Sequence, residues 1–333
     1  MLIFVLYNKY IMSLRNSKNT VIQRYKLYKK NRKLINFKEI TPGPIKKCKI
    51  AVIIPYRNRE EHLSEFIAHF NNLDNSNISG SQLDVYIIEQ NNEDKFNRGL
   101  LLNLGYLLAR ENTRYERYIF HDVDLFPSQS IYELYFADPK KQIHYIIPKE
   151  EHKYNFANYF GGVVGLSDEI YKNINGYPNN FFGWGGEDDS LYNRITANNI
   201  EIYRPTNGGY ELAFHDAPIT SEINSEKYKN ILNDLKEWRF NGINQLTNLL
   251  FMNIEKDEKT MNTFPQNMNT NVKYLFYKIN YLSKEKNVYM RFAEEINKEG
   301  IKVDIDKIIQ SKRKKCRNGY NKSNRTKKCI KQK

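Results

Sequence analysis

A chain of 333 residues with 40% hydrophobic content is long enough to bury the core of one large domain, which excludes disorder throughout. Its net charge of +14 sits at the ends: residues 1–50 carry 13 Lys and Arg against one acid, Glu39, and residues 311–333 carry 11 and no acid. The middle, residues 51–310, is therefore acidic at −9. This argues against a specific nucleic-acid partner and leaves at most electrostatic association of the tails with an anionic membrane.

Three cysteines, Cys48, Cys316 and Cys329, make no disulfide framework and no zinc site, so a reducing, cytoplasmic compartment is expected. The apolar start Leu2–Tyr7 is interrupted by Asn8 and Lys9, whereas a spanning helix needs about 20 apolar residues. No charged segment precedes that run and no small-residue cleavage site follows it, so neither an anchor nor a clear signal peptide is expected.

Residues 1–48 read as a basic N-terminal arm that closes on the turn-forming Thr41–Pro44. The catalytic domain is placed at 49–310, and 311–333 is read as a disordered, Cys-bounded basic tail. Within the domain, the continuous apolar run Ile50–Pro55 predicts a strand buried on both faces and ended by Pro55. Leu63, Phe66, Ile67, Phe70 and Leu73 then recur at helical spacing. A second strand is expected at Leu83–Glu89, a helix from Arg98 to about Arg110, and a third strand at Tyr118–His121. The β-α-β-α-β order implies an α/β fold with a mostly parallel, doubly wound sheet.

Ligands bind such sheets beyond the carboxyl ends of the strands. There the chain reads "PYRNR", "QNNEDKFNR" and "HDVDLFP", with no glycine-rich dinucleotide or Walker loop. Asp122 and Asp124 flank Val123, and two carboxylates on one side of a strand mouth suit a divalent cation, although the same pair also suits a solvated strand end. Phe181–Asp189, "FFGWGGEDD", places Trp184 among three glycines ahead of three acids. The glycines permit a mobile loop, and the indole offers a face for a sugar ring. Crowded carboxylates raise the pKa of one toward that of a base, while acids are equally at home at a helix N-terminus. His215 is the only histidine after residue 152 and is either structural or a metal ligand. Arg57, Arg59 and Arg98 lie where they could fork onto phosphate or uracil, or simply sit at the surface.

Taken together, "IIPYRNREEHL", "FNRGLLLNLGY", "HDVDLFP", "YFGGVVGLS", "INGYPNNFFGWGGEDDSLYNRI" and "YRP" closely resemble the β-1,4-galactosyltransferase family, in order and over about Ile50 to Leu250. The resemblance implies a single catalytic domain of the nucleotide-diphospho-sugar transferase (GT-A-like) fold, UDP-galactose as donor, Mn2+ or another divalent cation, and inversion at the anomeric carbon. It also implies a sugar acceptor, on a glycan or glycoprotein. By that resemblance Pro55, Tyr56, Arg57, Arg59, Phe96, Arg98, Asp122 and Val123 contact the uridine diphosphate, and Trp184 gates the closing loop. Asp124 and His215 hold the metal. Glu187 meets the donor sugar, Asp188 is the base, and Tyr159, Gly185, Gly186 and Asp189 line the sugar subsites. A bulky tyrosine at position 159 implies galactose rather than an N-acetylated sugar.

The chain departs from the family where a third metal ligand is expected, since Leu212 and Ala213 stand at those positions and neither can bind a metal. Asn241–Asn244 replaces a usual Asp-Gly-Leu-Asn, and the family's disulfides and luminal anchor are missing. The terminal segment is similar to basic, Cys-bounded tails of proteins from large cytoplasmic DNA viruses. UDP-GalNAc, UDP-glucose or UDP-xylose as donor, and a non-catalytic sugar-binding role, stand as alternatives.

Overall fold

The computed structural model describes residues 20–43, 45, 47–78, 80–147, 159–213, 225–247, 252–258, 272–281, 320–322 and 329–331. The apolar start at residues 2–7 and Pro44 of the expected turn lie outside these. The helices are α1 (20–31), α2 (Glu60–Asn72), α3 (Arg98–Asn112), α4 (Gln129–Tyr135), α5 (Asp168–Asn173), α6 (Glu187–Ala197) and α7 (Ser225–Glu237). The strands are β1 (Lys38–Ile40), β2 (Lys49–Tyr56), β3 (Gln82–Gln90), β4 (Arg117–His121), β5 (Leu125–Pro127), β6 (Gln142–His144), β7 (Val163–Leu166), β8 (Ile202–Pro205), β9 (Tyr210–Leu212), β10 (Met252–Lys256), β11 (Val272–Tyr281), β12 (Tyr320–Lys322) and β13 (Cys329–Lys331).

Nine strands form one sheet in the order β1-β8-β6-β7-β4-β2-β3-β11-β10. Its centre, β4-β2-β3, is parallel, as are β3 with β11 and β8 with both β1 and β6, while β7 and β10 run antiparallel to their neighbours. Side chains alternate across it. Ala51, Ile53, Tyr86, Ile88, Tyr118 and Phe120 join the core beneath α3 and α6, and Ile50, Val52, Ile54, Leu83, Val85, Ile87 and Ile119 join the core beneath α2 and α4. This is the period-two burial of a sheet covered on both faces, an α/β fold.

Two expectations are corrected. Pro55 does not end its strand: β2 runs to Tyr56, with Pro55 opposite Ile88 of β3. Pairing to β4 stops at Ile53, so only one neighbour flanks the proline and its missing N–H is tolerated. Leu73 is not on the helix face but is the C-cap of α2, in extended backbone. Described parts of the arm and of the tail also form elements. α1 packs on α6 and α7, and β1 extends the main sheet along β8, Lys38 opposite Tyr203, because Tyr25 and Ile40 are buried there. In the tail, β12 and β13 pair antiparallel, Tyr320 opposite Lys331, a short-range closure of low entropic cost. Among the described residues no helix is long and apolar enough to cross a membrane.

Candidate active site

The parallel strands deliver their mouths to one edge of the sheet. From β2 come Tyr56, buried, and then Arg57, Asn58 and Arg59, with Asn58 at φ 49°. Arg57 donates to the carbonyls of Asp94 at 2.5 Å and Asn92 at 3.4 Å, and its guanidinium lies 5.4 Å from the Phe96 ring centroid. An arginine fixed over an aromatic ring is a surface on which a planar base can stack. Arg59 pairs with Asp124 at 3.0 Å, tying the end of β2 to the turn after β4.

Arg98, the first residue of α3, is the hub. Its Nε donates to Asp122 Oδ1 at 2.7 Å, and one terminal nitrogen donates to Asp188 Oδ1 at 2.9 Å and lies 3.8 Å from Glu187 Oε1; the other reaches the Gly162 carbonyl at 3.4 Å. Its position is set by Asn97, whose side chain caps α3 by accepting from Leu100 N–H at 3.0 Å and donates to Asn179 O at 2.7 Å. Asn103, fully buried, donates to Tyr177 O and accepts from Tyr177 N–H and the Tyr171 hydroxyl. These two asparagines fasten α3 to the 177–179 segment ahead of the glycine loop. Both were missed in the sequence; the signals were an asparagine at the N-cap position for Asn97 and a polar residue on the inward face of an otherwise apolar helix for Asn103.

The acid triplet opens α6, as its composition suggested. Gly186 is the N-cap at φ 101°, with a virtual Cβ only 2.6 Å from the Phe181 ring, so a side chain there would be both strained and obstructed. Burial, together with the charges of Glu187, Asp122 and Asp189, holds the Asp188 carboxyl well above the usual carboxylate range, against the pull of Arg98. Asp122 is pushed up to about 6, mainly by burial and with Arg98 opposing. Glu187 is 6% exposed, and its Oε2 has no hydrogen-bond partner among the described residues, an orphan acceptor of the kind a bound hydroxyl satisfies. Asp189 instead turns to the arm, taking Arg32 at 2.9 Å and Lys29 at 3.6 Å.

Trp184 is 62% exposed on a loop whose Gly183 and Gly185 carbonyls both accept from Lys227 of α7, at 2.6 and 2.7 Å. Facing the triplet is the strip Tyr159–Gly162. A Cβ on Gly161 would lie 2.6 Å from Asp188 Oδ2 and 2.7 Å from the Tyr159 hydroxyl, so a side chain there would displace both groups.

The structure thus gathers Tyr56, Arg57, Arg59, Phe96, Arg98, Asp122, Val123, Asp124, Tyr159, Trp184, Gly185, Gly186, Glu187, Asp188 and Asp189 along one edge, with Pro55 just inside it. His215 lies outside the described residues. The chain leading to it does not: β9 pairs with β5, and Ala213 N–H donates to Asp124 O at 3.0 Å, which pins the chain beside Asp124 two residues before the histidine. A hard carboxylate so placed fits a divalent cation. Among the described residues no group of three or more His, Cys, Asp or Glu could hold a metal ion.

A mostly parallel sheet with carboxylates and arginines at the strand mouths is consistent with the GT-A type of glycosyltransferase fold, and solved structures of that type align with it. The catalytic domain of a Drosophila β-1,4-galactosyltransferase 7, solved with xylobiose, aligns at TM-score 0.54 and 22% identity over 72% of this chain and 96% of that one. A mutant of that enzyme, solved with manganese, UDP-Gal and xylobiose, aligns at TM-score 0.52 and 21% identity. The family model for the N-terminal region of glycosyl transferase group 7 matches residues 11–137, and that described as the N-terminal domain of galactosyltransferase matches residues 141–216. Human β-1,4-galactosyltransferase 4 is 35% identical over 223 residues, 63% of each chain, and mouse β-1,4-galactosyltransferase 2 is 37% identical over 199 residues, 58% of this chain and 53% of its own. The chain is thus similar to the β-1,4-galactosyltransferases. It spans about 63% of the length of the human relative.

Proposed function

We propose that this protein is an inverting, metal-dependent glycosyltransferase that moves galactose from UDP-galactose to a hydroxyl of a sugar acceptor on a glycan or glycoprotein. The observation that carries the proposal is the Arg98 bridge. One guanidinium holds the strand-mouth carboxylate Asp122 and the raised-pKa carboxylate Asp188 at 2.7 and 2.9 Å, joining a nucleotide-sugar site to a base.

Asp188 takes the proton of the acceptor hydroxyl as that oxygen attacks the anomeric carbon; its Oδ2 faces Gly161 and its Oδ1 is fixed by Arg98, so its orientation is set before substrate arrives. The orphan Oε2 of Glu187 accepts from a donor-sugar hydroxyl. Arg57 and Phe96 hold the uracil, Arg59 and Arg98 the phosphates, and Asp189 an acceptor hydroxyl. Asp124 and His215 would hold a divalent cation, which would supply Lewis-acid neutralisation of the leaving diphosphate. Closure of the Trp184 loop excludes water and favours transfer over hydrolysis. Tyr159 fills the space beside the donor's 2-substituent and selects galactose. A cytoplasmic location, with only electrostatic membrane contact through the basic ends, completes the proposal and rests on cysteine usage and charge distribution.

The test is release of UDP from UDP-galactose by the purified protein with Mn2+ and a panel of sugar acceptors that includes xylobiose, with product mass and linkage determined. Acceptor-dependent UDP release with a hexose added to product is expected. Binding of UDP-galactose with no transfer to any acceptor would leave a sugar-binding protein instead.

A further inference from the structure

Behind the strip that faces the base stands a second polar network, on β6 and β8. Arg204 Nε donates to His144 Nδ1 at 3.0 Å, and a terminal nitrogen of Arg204 donates to the carbonyl of Tyr159 at 2.5 Å. His144 Nε2 donates to the carbonyl of Gly161 at 2.9 Å. The imidazole is fully buried, and burial together with the Arg204 charge pushes its pKa down to about 3. It is therefore neutral, and the arginine at Nδ1 leaves the proton on Nε2, aimed at Gly161. The His144 ring also meets the Tyr159 ring edge-on at 5.9 Å. Phe37, from the N-terminal segment, closes the other side, its ring centroid 3.4 Å from the Arg204 guanidinium carbon. Two successive elements of the strip are thus pulled from behind, at the carbonyls on either side of Phe160, while its front touches Asp188.

We propose that Arg204 and His144 are positioning residues for donor selection: by holding the Tyr159 and Gly161 carbonyls they fix where the Tyr159 ring stands beside the donor sugar. This inference rests on the galactosyltransferase reading above and on the selecting role given there to Tyr159. The residue types fit the task. A guanidinium supplies two donors in a rigid fork, one to a ring nitrogen and one to a carbonyl, which an ammonium cannot do at once. A neutral imidazole accepts on one side and donates on the other. Both groups lie outside the carboxylate set, on a different pair of strands.

The experiment compares kcat/KM for UDP-GalNAc and UDP-galactose, with one acceptor and saturating Mn2+, in the wild type, Tyr159→Leu, His144→Gln, His144→Leu and Arg204→Lys, alongside thermal unfolding of each. A pocket discriminates by about 10- to 200-fold per small group, so Tyr159→Leu is expected to raise the GalNAc-to-galactose ratio within that range. His144→Leu is expected to raise it in the same direction by about 10-fold. His144→Gln, whose amide both accepts and donates, should keep the wild-type ratio. Combined with Tyr159→Leu, His144→Leu should add nothing further to the ratio, because both act on one ring. If His144→Leu does not fold, Arg204→Lys, which keeps the charge and loses the fork, carries the same comparison. Equal loss of activity with both donors, at an unmoved ratio, would reduce the network to a structural one and overturn the inference while leaving the parent reading intact. A wild type without galactose transfer would overturn the parent reading and this inference with it, whereas an unmoved ratio in Tyr159→Leu would overturn the selecting role of Tyr159 and this inference while leaving galactose transfer standing.

Discussion

At the scale of single residues, the site runs on the contrast between Arg98 and the carboxylates it gathers. In the proposed reaction Asp188 has to be ionised to accept a proton, yet burial and three acidic neighbours favour its neutral form. Arg98 is the one group among its main influences that works the other way. Asp188→Asn is expected to lower transfer by at least ~10²-fold with UDP-galactose binding nearly unchanged, measured by single-turnover kinetics and by calorimetry. Arg98→Gln removes the cation that stabilises the ionised base, so the Asp188 pKa rises and the acid limb of the kcat/KM profile moves to higher pH. An acid limb that stays in place or moves down would separate Arg98 from the base. Neither carboxylate nor arginine is remarkable in isolation; a D-x-D triplet and an acidic helix start are each common, and it was their order along the chain that made them legible.

Among the elements, the central β-α-β-α-β order was readable because both periodicities were clean: continuous apolar runs for strands buried on two faces, three- and four-residue steps for α2 and α3. What the sequence concealed were elements whose partners are remote. β1 carries only three residues and pairs β8, and β11 inserts beside β3 with an exposed Lys273 and a half-buried Lys278 in its run, so neither has a local pattern that announces its place. The polar residues that fasten helices together were hidden for the same reason. Arg194 of α6, buried, forks onto Asp234 of α7 at 2.6 and 3.1 Å and donates to the carbonyls of Asn175, Gly176 and Asn241. Asn241 begins the Asn241–Asn244 segment flagged as a departure, and here it donates to Asn180 Oδ1 and is held close by Asp234, so the substituted side chain still serves the junction. Removing one partner of a buried pair strands the other charge, and Asp234→Ala is expected to cost about 3–5 kcal/mol of stability, read as a lower urea midpoint at unchanged slope. Because α6 carries the acid triplet on its first turn, the same change should loosen the site without touching it.

For the whole molecule, the charge segregation seen in the composition has a physical counterpart. The acidic middle forms the sheet and its site, and part of the basic N-terminal segment is drawn onto it: Arg32 and Lys29 face Asp189, Tyr28 donates to Asn193, and Tyr25 stacks on Tyr228 at 3.9 Å. The basic C-terminal residues carry no acid of their own. Deleting residues 312–333 is expected to leave turnover unchanged while weakening retention on anionic vesicles at low salt, an effect that fades as the Debye length shortens to about 8 Å near 0.15 M. Loss of turnover on that deletion, or retention that does not respond to salt, would assign the tail a different role.

The pairing of β1 with β8 also sets an order of events in biosynthesis. The first strand among the described residues finds its partner only at residues 203–205, so during translation the segment from α1 through Phe37 leaves the ribosome long before anything exists for it to dock on. It must wait as a tethered, cationic peptide while the core strands condense, and loop closure over such a span is slow. Asp189 and Arg204 therefore receive their N-terminal partners, Arg32 and Phe37, only after the strands and helices they pack on are made.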